Sequence, residues 1–494
     1  MSGVLVKLGD KIKTLFFVLF GLVFFWLAFA NTQRIDGKLY GYAVIYLAAV
    51  LLFSCLIYKI RRRWLFLLAL AVLAITLRLI WIFYADTDPV SDFSLLNKAA
   101  NLILEGRNSE LKAIEYFNVW VYQLGFSVYC AVLYLLFGSN ILVVKVSNVI
   151  MSLGITILIY FIAAKIFNEK AARISSFLYA IYIHSIIINS LYTNQVVSAF
   201  FIYLGILIIV YGKGWANYLF SGISIAIGHI MRPEGSFTLC VVAVGLVLCN
   251  IAKLLKQREI FSRSRRIKSS DIVSMLSKIA VFAFSFILIV QLFSYVLKAL
   301  DITDYNFGNR NVYWKFMVGL NPSTNGGYSE EDVKILLGCP VGEDLYRLEK
   351  DIIRNRLSNK RELIELMVRK FNAMWVDNDS TIYFAVPGTT LTADKENLII
   401  RLEKIQYSLV MFLVCITVIL SIKNKRDDWN LLIIMLLITA NFAIYLFIEI
   451  QTRYRYFILP SFFILCGYGL AAVAGYMDGV FKLRRGMEFR LRRD

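Results

Sequence analysis

Three aspartates crowd the stretch YADTDPVSDF: Asp86, Asp88 and Asp92, with Pro89 bending the chain among them. A carboxylate held at the mouth of a site is a candidate general base. For Asp92 the structural alternative is N-capping of a helix that starts there. A second group, His229, Arg232 and Glu234, falls in GHIMRPEG, and a third, Arg453 and Arg455, alternates with Tyr454 and Tyr456 in EIQTRYRYFILP. A guanidinium forks onto phosphate oxygens in a way an ammonium cannot. Snorkelling to lipid head groups is the plainer reading of Arg232, and aromatic-belt anchoring that of 453–456. Taken together, the acids and arginines suit chemistry on a phosphorylated lipid: arginines hold phosphate while a carboxylate activates an acceptor.

Each group sits at the end of a long apolar run. Hydrophobic residues make up 59% of the chain and mean hydropathy is +0.67, far above a soluble average. The runs are 14–30, 41–60, 64–84, 143–163, 172–190, 196–212, 216–231, 234–252, 274–298, 406–422, 429–450 and 457–477. Most have the length that a hydrocarbon core of about 30 Å requires. The expected fold is therefore all-α: a polytopic transmembrane bundle of about twelve spans. No small-residue cleavage site follows the first run, which reads as an uncleaved anchor.

Short basic loops set the orientation. Lys7, Lys11 and Lys13 precede the first run; Arg61, Arg62 and Arg63 separate the second and third; Lys165, Lys170 and Arg173 separate the fourth and fifth. Lys253 to Lys268, with Arg263, Arg265 and Arg266, follows the eighth, Lys423, Lys425 and Arg426 follow the tenth, and the tail ends KLRRGMEFRLRRD. All fall on one side of a twelve-span chain, which the positive-inside rule makes cytoplasmic, so both termini lie there. The net charge of +19 then faces anionic lipid rather than nucleic acid, because it is scattered between spans. The run 118–137 would reverse this order if it crossed, so it is expected to lie at the outer interface, a level that suits Trp120, Tyr122, Tyr129 and Tyr134.

On this plan 1–63 holds two extra N-terminal spans, 64–298 a catalytic core with outer loop 85–142, 300–405 a small α-rich outer domain, 406–477 the last spans and 478–494 a basic tail. In the outer domain Leu345, Leu348, Ile352 and Leu357, then Leu363, Met367, Phe371 and Met374, recur at helical spacing. Six of seven cysteines fall in apolar runs and only Cys339 lies outside, so no disulfide framework or metal spacing is read. Two histidines exclude a histidine-rich metal site, and His184 reads as a satisfied core residue. The third, seventh and eleventh runs point outward, so their ends meet at one surface. There Asp92, Arg232 and Arg453 or Arg455 should line one cavity, roofed by 312–330, from which Lys315 reaches a phosphate.

The chain resembles the polyprenyl-phosphate-sugar-dependent glycosyltransferases of the C superfamily (GT-C), the group of protein O-mannosyltransferases and the lipid A aminoarabinose transferase. The resemblance is carried by DPVSDF with its following helix, YQLGFSVYCAVLYLLFGSN, KVSNVIMSLGITILIYFIAAKIFNEKAARISSFLYA, RPEG, GLNPSTNGGYSEED and RYRYFILP. It implies Asp92 at the catalytic centre, with Asp88 second. Two additional spans precede the matching core, a proline near Trp120 is missing, and LYTNQ, with Asn194 and Gln195, stands where many members carry an acid. A second carboxylate therefore has no support, and a divalent cation stays open as the one cofactor to consider.

The resemblance implies inverting transfer from a polyprenyl-phosphate-linked sugar to an acceptor hydroxyl on an envelope glycan, lipid or protein, at the outer face of the cell membrane. Asp92 or Asp88 would be the base. Arg232, Arg453, Arg455 and Lys315 would hold the donor phosphate, and Asn194, Gln195 and His229 would contact substrate. No nucleotide-binding loop is present or needed. A lipid-linked polysaccharide ligase or polymerase is the alternative enzyme. A flippase or transporter without chemistry would instead show inverted repeats and broken helices at mid-membrane.

Overall fold

A computed structural model describes residues 2–57, 59–260, 269–424, 426 and 428–491, with the side chains of 2–8, 55, 255–260 and 477–491 left aside. Arg263, Arg265, Arg266, Lys268 and Lys425 of the basic loops lie outside the described residues. Among those described, every regular element is a helix.

All twelve apolar runs form helices. Nine are long and apolar enough to cross a membrane: Gly9–Gln33, Gly37–Ser54, Arg63–Tyr84, Ile141–Ile166, Glu234–Leu254, Ser269–Ala299, Ala393–Lys423, Trp429–Phe447 and Leu459–Tyr476. The other three differ from the expectation of simple spans. The run 172–190 breaks into Glu169–Ala180 and Ile183–Ser190, bent by 60°. Gln195–Tyr211 and Trp215–Met231 have 17 residues each, roughly 25 Å of helix. The run 118–137 is not one helix either. It comprises Glu115–Val119, a 3-10 turn Val121–Gln123 and Leu124–Phe137; the last, at roughly 21 Å, is too short to cross.

Packing explains the break at 180–182. Arg78, fully buried on Arg63–Tyr84, donates to the Ala180 carbonyl (3.1 Å) freed by the bend, to Ser185 Oγ (2.9 Å) and to Ser152 Oγ (2.7 Å). A buried guanidinium needs such partners, and it ties its own helix to three others. Gly467 performs a complementary task on Leu459–Tyr476: a Cβ there would lie 2.4 Å from the Ala171 carbonyl, so only glycine lets these helices touch backbone to backbone.

The outer segment departs from its expected pattern in two ways. Ala393–Lys423 starts well before residue 406, because Glu403 and Lys404 are buried and partnered: Tyr182 Oη donates to Glu403, and Lys404 Nζ donates to Asn31 Oδ1 (2.6 Å). In Glu343–Ser358 the inward face carries Leu345 and Glu349, while Leu348 and Leu357 are exposed. In Lys360–Trp375 the fully buried residues are Leu366, Lys370, Met374 and Trp375; of the expected apolar set only Met374 is among them, while Leu363, Met367 and Phe371 are half-buried. The reason is polar: Asn311 Nδ2 donates to Glu349 (2.8 Å), and Lys370 Nζ donates to the carbonyls of Gly319 and Ile448. Burying charge is acceptable when it is bonded, and hydrophobic spacing alone does not register that.

Candidate active site

The loop after Arg63–Tyr84 is clamped from both sides. Thr87 Oγ1 donates to the Ala385 carbonyl (2.7 Å) and lies within hydrogen-bond distance of Ser190 Oγ (2.9 Å), and the Asp88 amide donates to the Pro387 carbonyl (3.1 Å). Ser91 takes a φ of 54°, a strained conformation for a side-chain-bearing residue. That turn launches Asp92–Leu104, in which Asp92 is the first helical residue, one place later than the N-cap role expected of it. Its carboxylate is exposed and complements the helix N-terminus. Burial, and after it the charge of Asp92, holds the Tyr116 phenol above its ordinary range.

Its neighbour Phe93 leads into a cluster of cations. The Arg453 guanidinium lies 5.1 Å from the Phe93 ring centre, 4.5 Å from that of Phe384 and 5.2 Å from that of Tyr454. Arg232 approaches the same Tyr454 ring at 4.8 Å, and Lys315 acts on the Tyr122 phenol together with Arg232. Both Arg232 and Lys315 carry a carboxylate partner: Glu234 pairs with Arg232, and Glu449 with Lys315. Burial opposes the Lys315 charge, but Glu449 outweighs it and raises the ammonium above its usual range.

Amides join these groups into one frame. Asn194 Nδ2 donates to Gln123 Oε1 (3.2 Å), and Asn194 Oδ1 accepts from Arg232 Nη1 (3.3 Å). Gln195 Nε2 donates to the Arg453 carbonyl (3.0 Å). Arg453 Nε donates to Gln451 Oε1 (2.7 Å), and Gln451 Nε2 donates to Glu449 Oε1 (3.0 Å). Two backbone bonds seat 312–327 on the segment that carries these groups: the Glu449 amide donates to the Lys315 carbonyl (2.8 Å), and that of Ile450 to the Gly326 carbonyl (2.9 Å). Gly125 holds the opposite wall close, since a Cβ there would lie 1.9 Å from the Ile230 carbonyl, two residues before Arg232.

Asp92, Arg232, Arg453, Lys315, Asn194 and Gln195 thus belong to one neighbourhood. Three other candidates do not. Arg455 is 1% exposed and donates to the carbonyls of Met374 and Asp377, so it anchors the 3-10 segment Thr452–Phe457 and cannot meet a ligand from there. His229 turns toward Phe286, 5.2 Å between ring centres, and accepts at Nδ1 from the Ser236 amide (3.3 Å). Asp88 faces a separate cavity with Asp86. Glu449, Tyr122, Gln451 and Phe384 are participants that sequence reasoning passed over. Glu449 had a signal, an acid just ahead of the RYRY arginines; Phe384 had none. Among the described residues no group of three or more His, Cys, Asp or Glu side chains is placed to hold a metal.

The arrangement offers two guanidinium groups on one phenol ring and an ammonium close by, each held by a carboxylate or an amide. Residues 125–264 match the family described as dolichyl-phosphate-mannose-protein mannosyltransferase, a stretch that includes Asn194, Gln195 and Arg232 but neither Asp92 nor Arg453. This match supports a GT-C-type membrane glycosyltransferase. No curated protein matches. Among solved structures, the chain is similar to the archaeal oligosaccharyltransferase AglB from Archaeoglobus fulgidus, in complex with an inhibitory peptide and a dolichol-phosphate, at 13% identity and a TM-score of 0.43. That alignment covers 87% of this chain and 52% of the other, so the chain spans about half the length of that protein.

Proposed function

We propose that the protein transfers a sugar from a polyprenyl-phosphate donor to an acceptor hydroxyl, with inversion, at the outer face of the cell membrane. The observation that carries this reading is the convergence of Arg232 and Arg453 on the Tyr454 ring, with Lys315 linked to Arg453 through Glu449 and Gln451, and with Arg453 also against Phe93, the residue after the exposed Asp92.

In the proposed reaction Asp92 accepts the proton of the acceptor hydroxyl. The freed oxygen attacks the anomeric carbon from the face opposite the phosphate. The bond from that carbon to the phosphate oxygen breaks, and the lipid phosphate leaves with the electron pair. Arg232, Arg453 and Lys315 neutralise it. General-base help is worth about 10²–10⁴ in rate, and each preorganised donor on a developing anion about 10²–10³. Glu234 and Glu449 keep the cations in place before the donor arrives. These groups sit at helix starts (Asp92, Glu234), in short helical segments (Lys315, Arg453) or in connections (Arg232, Glu449) rather than at the middle of a long apolar helix, which favours a transferase over a transporter whose site lies at mid-membrane.

The test is release of polyprenyl phosphate from a sugar-labelled donor by protein in proteoliposomes supplied with envelope extract. Wild type should consume donor, and Asp92→Asn should slow it by about 10²-fold or more. Undiminished turnover in Asp92→Asn, with Asp88→Asn inactive, would move the base to Asp88; a wild type that never consumes donor ends the proposal.

A further inference from the structure

On the far side of the Asp92 loop lies a second cavity of about 410 Å³, lined by Asp86, Asp88, Asn97, Asn101, Ser139 and Lys145 among others. Nothing in the transfer mechanism uses it. Its volume is within the range of small-ligand sites, but its lining is unlike the cation cluster.

The cavity is a built polar surface. Lys145 is 98% hidden, at 2% exposure, with its ammonium 3.1 Å from Asp86 Oδ1. Desolvating a lysine is costly, and here the charge is directed into the cavity rather than to bulk water. Tyr134 Oη donates to Asn97 Oδ1 (2.7 Å), and Ser139 Oγ donates to Asn101 Oδ1, which fixes both amides. Their orientation leaves Asn97 Nδ2 without an acceptor among the described residues, as are two of the Lys145 hydrogens, while the Asp88 carboxylate has no donor. The set therefore offers fixed donors and acceptors side by side, with two carboxylates against one ammonium.

That balance decides the ligand class. A net negative lining repels phosphate, so the donor's head belongs with Arg232, Arg453 and Lys315. Alternating amide, carboxylate and hydroxyl groups instead match vicinal hydroxyls, each of which donates and accepts. Asp88 and Asp92 are four residues apart, so the cavity opens within about 14 Å of the base, the most that four residues can span.

We infer that this cavity binds a sugar unit of the acceptor, so that the substrate receiving the transferred sugar is itself a carbohydrate. The inference rests on the glycosyl-transfer reading above. A peptide acceptor is the competing outcome: it would look for a free backbone edge or apolar side-chain pockets, and the lining here is made of polar side chains.

The experiment uses the full chain in nanodiscs, probed by saturation-transfer NMR with maltose, lactose, N,N′-diacetylchitobiose and a threonine-rich peptide. At least one disaccharide should bind, and Asn97→Leu should weaken it about 5-fold or more, the loss of one to two hydrogen bonds. Ser139→Trp, which changes an exposed residue at the mouth and so spares the fold, should abolish the signal. Disaccharide binding that neither variant changes, no disaccharide binding by wild type, or peptide binding that these variants remove would each overturn the inference. Donor consumption by wild type is scored apart through polyprenyl phosphate release. Its absence overturns the transfer reading, whereas normal consumption with unchanged sugar binding in the variants overturns only the cavity's role.

Discussion

Replacing Arg232 tests whether its guanidinium serves the fold or the reaction, because both lay claim to it. It is paired with Glu234, donates to Asn194 Oδ1 (3.3 Å) and lies 4.8 Å from the Tyr454 ring centre. The pair is largely buried, with side chains 18% and 14% exposed, and Glu234 Oε2 has no hydrogen-bond partner among the described residues. Arg232→Ala alone strands that carboxylate, and breaking a buried pair costs about 3–5 kcal/mol. Activity lost in that variant would say nothing about chemistry. Arg232→Ala combined with Glu234→Gln removes both charges, so the remaining loss falls to about 1 kcal/mol, that of an ordinary hydrogen bond. If the guanidinium neutralises the departing phosphate, the double variant should still lose about 10²–10³ in turnover. Thermal unfolding in nanodiscs and donor turnover are measured on the same preparations. The single variant should fail in both, and the double should recover Tm without recovering turnover. A stable double variant with wild-type turnover would refute the phosphate role and leave Arg232 as an ion-pair anchor. Arg232→Lys keeps the charge without the fork, and should fall between wild type and the double variant.

Two further outcomes follow from the same geometry. Gly125→Ala sets a methyl 1.9 Å from the Ile230 carbonyl, which must push Leu124–Phe137 off its neighbour at a cost of about 1–3 kcal/mol and displace Arg232; a calorimetric Tm equal to wild type would contradict this close approach. Burial raises the Glu449 carboxyl, but Lys315, Gln451 and Arg453 outweigh it and hold it below the usual glutamate range. A carboxylate depressed in the folded state adds stability that is present above its unfolded value, about 4.3, and is lost as pH falls through the folded one. Amide protection factors in 312–330, taken relative to the intrinsic exchange rate at each pH, should therefore fall on acidification below that value, and Glu449→Gln should remove most of that pH dependence. An identical profile in the variant would assign the acid effect to another group.

The membrane class, the helical fold and the places of the apolar helices were legible in the sequence, because hydropathy is a local property; the early start of Ala393–Lys423 was not, because it rests on buried charges that find distant partners. The sequence also marked Asp92, Arg232, Arg453 and Arg455 as polar residues at the ends of runs, though not which of them would face one another. The break at Ala180 was not legible, because it depends on Arg78 arriving from another helix to bond the freed carbonyl. Nor was the face of Lys360–Trp375, where Lys370 turns inward to meet two carbonyls contributed from elsewhere in the chain. Arg453 and Arg455 show the division most plainly. Identical residues two positions apart read alike in a sequence. In a 3-10 segment with about three residues per turn they point to different sides. Arg453 meets Phe93 and Tyr454 at the candidate site, while Arg455 is spent on the carbonyls of Met374 and Asp377. Residue type set what each arginine can bind; only the packing of distant segments around that turn decided which one is left to bind a ligand.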